Sequence, residues 1–172
     1  MRSPDDHPFL RSFWTHAWGF VGASIGTVLM VARCTSMVCR AASLIYGCCC
    51  CTLFFASSLH HAVMRPASIQ AQGALRRFDH ISIYLMIAGT YTPICVLSLD
   101  PANGLPMLAV AWGLALAGIA QKIFLAFSPR WATIGNYLVM GWISLAMWHP
   151  LNRLYKLSDL RFLVFGGSLY SV

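Results

Sequence analysis

Charged side chains are scarce in this chain. Asp, Glu, Lys and Arg together make up 10% of the 172 residues, whereas 58% are hydrophobic. Soluble domains carry about a quarter of their residues as these four types, because a surface in water needs solvated groups. The mean hydropathy of +0.66 agrees with this. The composition excludes an ordinary soluble domain and predicts an integral membrane protein whose partner is the lipid bilayer, with no soluble partner evident.

Acidic residues are the rarer charged class, with five Asp and Glu against twelve Lys and Arg. Nucleic-acid binding would need the cations to cluster on a wet surface. Here they fall between long apolar runs, as do the pairs Arg33/Arg40 and Lys122/Arg130. This distribution is typical of the loops of a multi-pass membrane protein, so we expect no nucleic-acid partner.

The same cations predict the orientation of the chain. If the N-terminus is inside, seven fall on the inner side, at Arg2, Arg11, Arg65, Arg76, Arg77, Lys122 and Arg130. Five then fall on the outer side, at Arg33, Arg40, Arg153, Lys156 and Arg161. By the positive-inside rule, this small excess favours a cytoplasmic N-terminus.

Four of the seven cysteines are consecutive, Cys48 to Cys51, within an apolar run. Neighbours on a helix point about 100° apart, so these four cannot converge on one metal ion. Buried cysteine behaves as a small apolar residue, which predicts a packing role. Cys34 and Cys39 flank a predicted membrane boundary, where S-palmitoylation is an alternative.

The apolar runs predict an all-α fold, a single polytopic bundle of transmembrane helices. A spanning helix needs about 20 mostly apolar residues. Five full helices are predicted at 13–32, 41–64, 80–99, 105–127 and 132–148, and a partial sixth at 158–172. Pro93 should kink the third helix. The segment from Asp100 to Gly104 reads as a turn before the fourth.

Polar residues near the ends of the second and third helices are the candidates for chemistry. Ser57 and His61 are four residues apart, so they share one face of a helix. Asp79 stands at the start of the third helix, and the loop between the two helices places all three on one side of the membrane. Such groups are costly in apolar spans and often functional.

Each of these residues also has a purely structural interpretation. The Ser57 hydroxyl could return to a carbonyl one turn back. His61 could be an interfacial residue, and Asp79 could be only the N-cap of its helix.

Several segments resemble the hemolysin III family, which belongs with the progestin and adipoQ receptors. They are SSLHH (57–61), RFDHISIYLMIAGTYTP (77–93), MGW (140–142) and GGSLY (166–170). THAWG (15–19) and LIYG (44–47) are similar to the first two helices of that family. The resemblance runs from about Trp14 to the C-terminus.

The resemblance implies a seven-helix protein with a zinc site near the inner face. His61 would bind the metal, Asp79 would hold a zinc-bound water, and Ser57 would support the site. The implied activity is zinc-dependent hydrolysis of a ceramide-like membrane amide, with a lipid as substrate or ligand. A receptor or signalling scaffold without catalysis and a membrane-perturbing hemolysin are the alternatives.

The chain departs from the family pattern in its histidines. The family completes its metal site with His-x3-His on the seventh helix, whereas no histidine follows His149 here. His149 should lie on the opposite membrane face, which leaves His16 and His80 on the side of the site, with His60 adjacent to it. We therefore expect a C-terminally incomplete member, weak or absent zinc binding, and an inactive site in the chain as written. Whether it is an enzyme stays open.

Overall fold

The structure, a computed structural model, describes residues 6–63, 68–124, 130–154, 161, 164, 165 and 168. Within these ranges the chain forms no strand and six α-helices, which are α1 (Asp6–Arg33), α2 (Met37–Val63), α3 (Ile69–Pro93), α4 (Pro101–Phe124), α5 (Arg130–Trp142) and α6 (Trp148–Leu154). A π-helical segment, Ile94–Ser98, follows α3, and a 3-10 segment, Ile143–Met147, joins α5 to α6. The all-α prediction is confirmed. Most of the partial sixth helix predicted at 158–172 lies outside the described residues.

Four helical stretches are long and apolar enough to cross a bilayer, namely Arg11–Arg33, Met37–Ala62, Ile69–Ser98 and Pro101–Phe124. Large apolar side chains cover their outer faces, as Trp18 (70% exposed) and Val28 (67% exposed) illustrate. The buried positions include many polar residues, namely Ser43, Ser57, Ser58, His60, Ser82, Thr92, Lys122 and Thr133. An apolar exterior around a partly polar interior suits hydrocarbon rather than water, and the chain is an integral membrane protein.

A disulfide between Cys34 and Cys39 closes the turn from α1 to α2. Their Cα atoms are 5.5 Å apart, within the usual range for such a bond. The sequence analysis did not predict this pairing, and the bond leaves neither thiol free for palmitoylation. Cys48 to Cys51 carry free thiols within α2.

α3 begins at Ile69, about eleven residues before its predicted start at 80. Ser68 caps it, and the Ser68 hydroxyl accepts a hydrogen bond from the Ala71 N–H at 3.3 Å. The first turns are too polar to count as part of an apolar span, which is why hydropathy placed the start too late. Asp79 is therefore inside α3 and is not the N-cap of this helix.

Asp100 immediately precedes α4, whereas the sequence analysis expected a turn from Asp100 to Gly104. Its carboxylate accepts hydrogen bonds from the Asn103 backbone N–H (3.1 Å) and side-chain amide (2.7 Å). These bonds hold the pKa of Asp100 below its usual value. Pro101 is the first helical residue, where its missing N–H is tolerated. The Asp-Pro pair is thus a helix start.

The helical geometry changes after Pro93, the last residue of α3, where a kink was predicted. The helix does not stop there but passes from α to π, with the Leu99 N–H reaching the Ile94 carbonyl at 3.3 Å. Proline cannot donate the usual bond to the carbonyl four residues back, which loosens the ladder at this point.

The fifth predicted helix, 132–148, is divided in the structure. The Tyr91 hydroxyl donates to the carbonyls of Met140 (2.6 Å) and Gly141 (3.3 Å), and the Ser144 hydroxyl also donates to Gly141 at 2.9 Å. An α-helix would use these carbonyls for the N–H groups four residues on. With the carbonyls engaged by side chains, α5 tightens into the 3-10 segment.

α3 is central to the bundle and packs against α2, α4 and α5. Tyr84 of α3 is fully buried, with its ring 4.5 Å from that of Tyr137 in α5. Gly118 of α4 faces the Tyr84 ring so closely that an added Cβ would overlap it. The absence of a side chain at this glycine is what lets α4 approach α3.

We predict that Gly118→Ala lowers the free energy of unfolding by about 1–3 kcal/mol, because the new methyl group must displace the buried Tyr84 ring. The measurement is denaturant unfolding of the purified chain in detergent micelles. Gly113→Ala is the matched control on the same helix, since nothing lies within 4 Å of a Cβ built there. Equal effects of the two substitutions would contradict this account of the α3–α4 contact.

Candidate functional site

One end of the bundle gathers the predicted site residues from α1, α2 and α3. Ser57 is buried in α2, and His61 is one turn further along the same face. His16 of α1 stacks on His61 with ring centroids 5.4 Å apart and planes 6° from parallel. His16 also interacts electrostatically with Asp79. His61 and Asp79 therefore share His16 as a neighbour.

The register of α1 against α2 places His16 beside His61. Gly19 packs directly against the Phe54 ring, leaving no space for a side chain. Farther along, Gly47 of α2 packs against Thr27 of α1 in the same way. These two close contacts fix how α1 lies along α2.

Three buried polar atoms at this end of α2 have no hydrogen-bond partner among the described residues. They are Ser58 Oγ, His60 Nδ1 and His61 Nδ1. Buried polar atoms in folded proteins are nearly always hydrogen-bonded. Three in one helical turn indicate that this end of the bundle is built to meet polar groups other than those of its own described side chains.

A second group of polar residues lies where α3, α4 and α5 meet, near the first. The Lys122 ammonium donates to the Thr133 hydroxyl at 2.6 Å, and both side chains are buried. The Tyr137 hydroxyl donates to the His80 carbonyl at 2.9 Å. His80 interacts electrostatically with Lys122, Asp79 and His60. The two groups thus form one polar end of the bundle.

An apolar cavity of about 510 Å³ begins one helical turn from this polar end. Its lining includes Leu53, one turn before Ser57 on α2, and Ile83, one turn after Asp79 on α3. Tyr137 also lines it. Ligand pockets commonly have volumes of about 300–1,000 Å³. The cavity and the polar end are therefore adjacent along the same faces of α2 and α3.

The described side chains do not fit a zinc ion. Zinc in catalytic sites keeps three protein ligands and one open position. Within the described ranges, no three His, Cys, Asp or Glu side chains are grouped so as to hold a metal ion. An imidazole binds a metal in the plane of its ring, so the parallel stack of His16 on His61 does not aim two nitrogens at one point.

Lys122 is the residue whose burial the sequence analysis missed, because it was used only as one of the cations that predict orientation, although it lies within the predicted fourth helix, 105–127. A signal for it was present in the sequence. Ala111, Ala115, Gly118 and Lys122 recur at spacings of four, three and four, and all are buried. That period marks one inward face of a helix, so a lysine at its end points into the bundle.

We predict that the 172-residue chain binds Zn²⁺ weakly or not at all, since His61 is the only ligand that matches the family pattern. Elemental analysis of detergent-purified protein measures the zinc content, with His61→Ala as the comparison. Stoichiometric zinc that disappears in His61→Ala would contradict the prediction. His16→Ala and His80→Ala would then identify the additional ligands.

Comparison with known proteins shows the family of this chain. Residues 8–172 match the family model described as Haemolysin-III related. "Hemolysin-3" of Bacillus cereus is 34% identical over 131 residues, which cover 76% of this chain and 58% of that protein. The "Hemolysin-3 homolog" of Bacillus subtilis (strain 168) is 36% identical over 130 residues, 74% of this chain and 59% of its own length. The chain thus spans under two thirds of these relatives, and no solved structure matches it. On the family match, this chain belongs to the Haemolysin-III related family.

Proposed function

We propose that this chain is a membrane-embedded binding protein for a single-chain amphiphile. The apolar chain of the ligand occupies the cavity, and its headgroup meets Ser57, His61 and Asp79 at the polar end. The observation that carries the proposal is the position of the cavity, which starts one turn from these residues on both α2 and α3.

The chemistry of the two regions supports an amphiphile over a wholly polar ligand. Apolar side chains make up most of the cavity lining, and the hydroxyl-bearing exceptions are Thr90, Tyr91, Tyr137 and Ser144. These hydroxyls already donate to backbone carbonyls, Thr90 to that of Ile87, Tyr91 to that of Met140, Tyr137 to that of His80 and Ser144 to that of Gly141. Burial of a hydrocarbon chain there is favourable by about 0.8 kcal/mol for each CH₂ group. The unpartnered atoms of Ser58, His60 and His61 suit the headgroup.

Amide hydrolysis, which the family resemblance implies, is the second candidate. Ser57 and Asp79 would be its catalytic residues and His61 its metal ligand. Because the described residues do not fit zinc, the binding proposal involves no metal-dependent step. Amphiphile binding is also what a receptor of this family would require. The relatives carry the name hemolysin, but no described contact favours membrane perturbation.

A substitution that fills the cavity tests the proposal. Gly141 lines it, and nothing lies within 4 Å of a Cβ built there. We expect wild-type protein in micelles to bind a neutral N-acyl amide of a single long chain. We expect Gly141→Leu to weaken that binding at least about tenfold, by removing room for the chain. Isothermal titration measures the dissociation constants.

Gly135→Leu is the matched control, because this glycine lies on the same helix in open space and away from the cavity. It should bind the amide as the wild type does, and both variants should keep the helical content of the wild type. Undiminished binding by Gly141→Leu, or no binding by the wild type, would count against the proposal.

We also propose that the polar end faces the cytoplasm. Disulfides persist in oxidising compartments, which favours an outer location for the turn that holds Cys34 and Cys39. That turn and the one before α4 lie at the opposite end of the bundle from His61 and Asp79. The excess of Lys and Arg on the side of the polar end supports the same orientation.

Cysteine labelling in intact cells tests this orientation. Ala102 is exposed beside the start of α4, and Ser68 is exposed at the start of α3. A membrane-impermeant maleimide should label Ala102→Cys before permeabilisation and Ser68→Cys only afterwards. The reverse order would place the polar end outside the cell.

A further inference from the structure

Lys122 is a buried cation near the membrane face. Its residue is 9% exposed, and its described hydrogen bond runs to the Thr133 hydroxyl. An ammonium group has three N–H donors, so two remain after this bond. Lysine is almost never so fully buried unless it is paired with an anion.

The described part of the chain offers Lys122 no carboxylate. Asp79 and Asp100 are the acidic residues whose side chains the structure describes. Asp79 interacts with His16 and His80, and Asp100 lies at the other end of α4. Among the described groups none forms an ion pair with Lys122, and its electrostatic neighbour is the His80 imidazole. A buried charge without a countercharge is strongly unfavourable.

The neighbours of Lys122 add donors and positive charge. His80 lies within electrostatic range of Lys122 and of Arg76. His60, which interacts with His80, has a buried Nδ1 atom without a described partner. Two cations, Lys122 and Arg76, and one carboxylate, Asp79, act on His80, so the charge around this imidazole is net positive and suits an anion.

Lys122 is also close to the cavity. Thr133, Tyr137 and Gly141 recur every four residues on α5 and share one face. Tyr137 and Gly141 line the cavity, and Thr133 holds Lys122. The rise along one helical turn is about 5.4 Å. The ammonium is therefore about one turn beyond the end of the cavity, where the headgroup of a bound amphiphile would lie.

We infer that the amphiphile bound in the cavity carries an anionic headgroup, a phosphate or a carboxylate, which the Lys122 ammonium neutralises between α4 and α5. This inference rests on the proposed function and names the ligand class for that site. Lys122 is the residue that selects the charge of the ligand, and Thr133 orients its ammonium.

A purely structural role for Lys122, as a link between α4 and α5, makes a different prediction. A structural link would affect stability when either Lys122 or Thr133 is changed, but it would not distinguish charged from neutral ligands. Ligand selectivity is therefore the deciding measurement. It needs amphiphiles that share one alkyl chain and differ only in their headgroup.

The experiment compares an alkyl phosphate, the fatty acid and the alcohol of equal chain length, each titrated into the full chain in non-ionic micelles. Inorganic phosphate is a fourth probe. We expect at least one of the two anionic amphiphiles to bind at least about tenfold more tightly than the alcohol, the size expected for a desolvated charge pair. Inorganic phosphate should bind more weakly, because it lacks the chain.

In Lys122→Met, the ratio of the dissociation constants of the alcohol and the anionic amphiphile should fall to about one. Lys122→Arg should keep the wild-type ratio. Arg77→Met is the matched control, because Arg77 is an exposed cation at the same face. It should keep most of the preference. If Lys122→Met does not fold, the wild-type titrations and Lys122→Arg still test the inference.

The outcomes separate this inference from the proposed function. Equal binding of the alcohol and both anionic amphiphiles by the wild type, or a preference that survives in Lys122→Met, would overturn the inference and leave amphiphile binding intact. Failure of every amphiphile to bind would overturn both. Binding of inorganic phosphate as tight as that of the alkyl phosphate, and lost in Lys122→Met, would support the anion site and assign it to free phosphate.

Discussion

The high cost of exposing a polar group to hydrocarbon determines which way each helix face points. In water the buried side of a helix is its apolar side, but here the outer faces are apolar and polar residues lie inside. Trp18 and Val28 face outward on α1, whereas Ser82 and Thr92 are buried on α3. The small polar residues return their hydroxyls to nearby carbonyls, as Ser82 does to that of Asp79 at 2.6 Å. Among the described residues, three of the four buried side-chain atoms without a hydrogen-bond partner lie at one end of the bundle, the fourth being the Tyr84 hydroxyl.

Much of this arrangement could be predicted from the sequence, because the bilayer imposes a simple length requirement. Apolar runs revealed the helical spans, and the four-residue spacing of Ser57 and His61 placed both on one face of α2. The order of the helices also predicted that Asp79 lies on the same side of the membrane as Ser57 and His61. These are local properties, which depend on spacing along the chain rather than on which residues meet across the bundle.

The rest depended on contacts between distant residues or on polar helix starts that hydropathy does not detect. The break after α5 arises from the Tyr91 hydroxyl, which is about fifty residues away in sequence. The start of α3 was predicted too late because its first turns are polar. The start of α4 was also predicted too late, because Asp100 and Pro101 are typical turn residues. The Cys34–Cys39 disulfide depends on how two helix ends approach each other. The burial of Lys122 was missed because a lysine near the end of an apolar helix was expected to reach the interface, although the small residues before it marked an inward face.

Glycine contacts, more than hydrogen bonds, hold the polar end in place. Gly19 brings α1 onto Phe54 of α2, and Gly118 brings α4 onto Tyr84 of α3. His16 lies about one turn before Gly19 on α1 and Lys122 about one turn after Gly118 on α4, so their positions are set by backbone packing. A site positioned in this way can leave its polar atoms unpartnered without losing its shape, because the energy that holds the helices together does not come from those atoms. Two donors of Lys122 and the buried Nδ1 atoms of His60 and His61 have no partner among the described residues, which leaves them available to the proposed ligand.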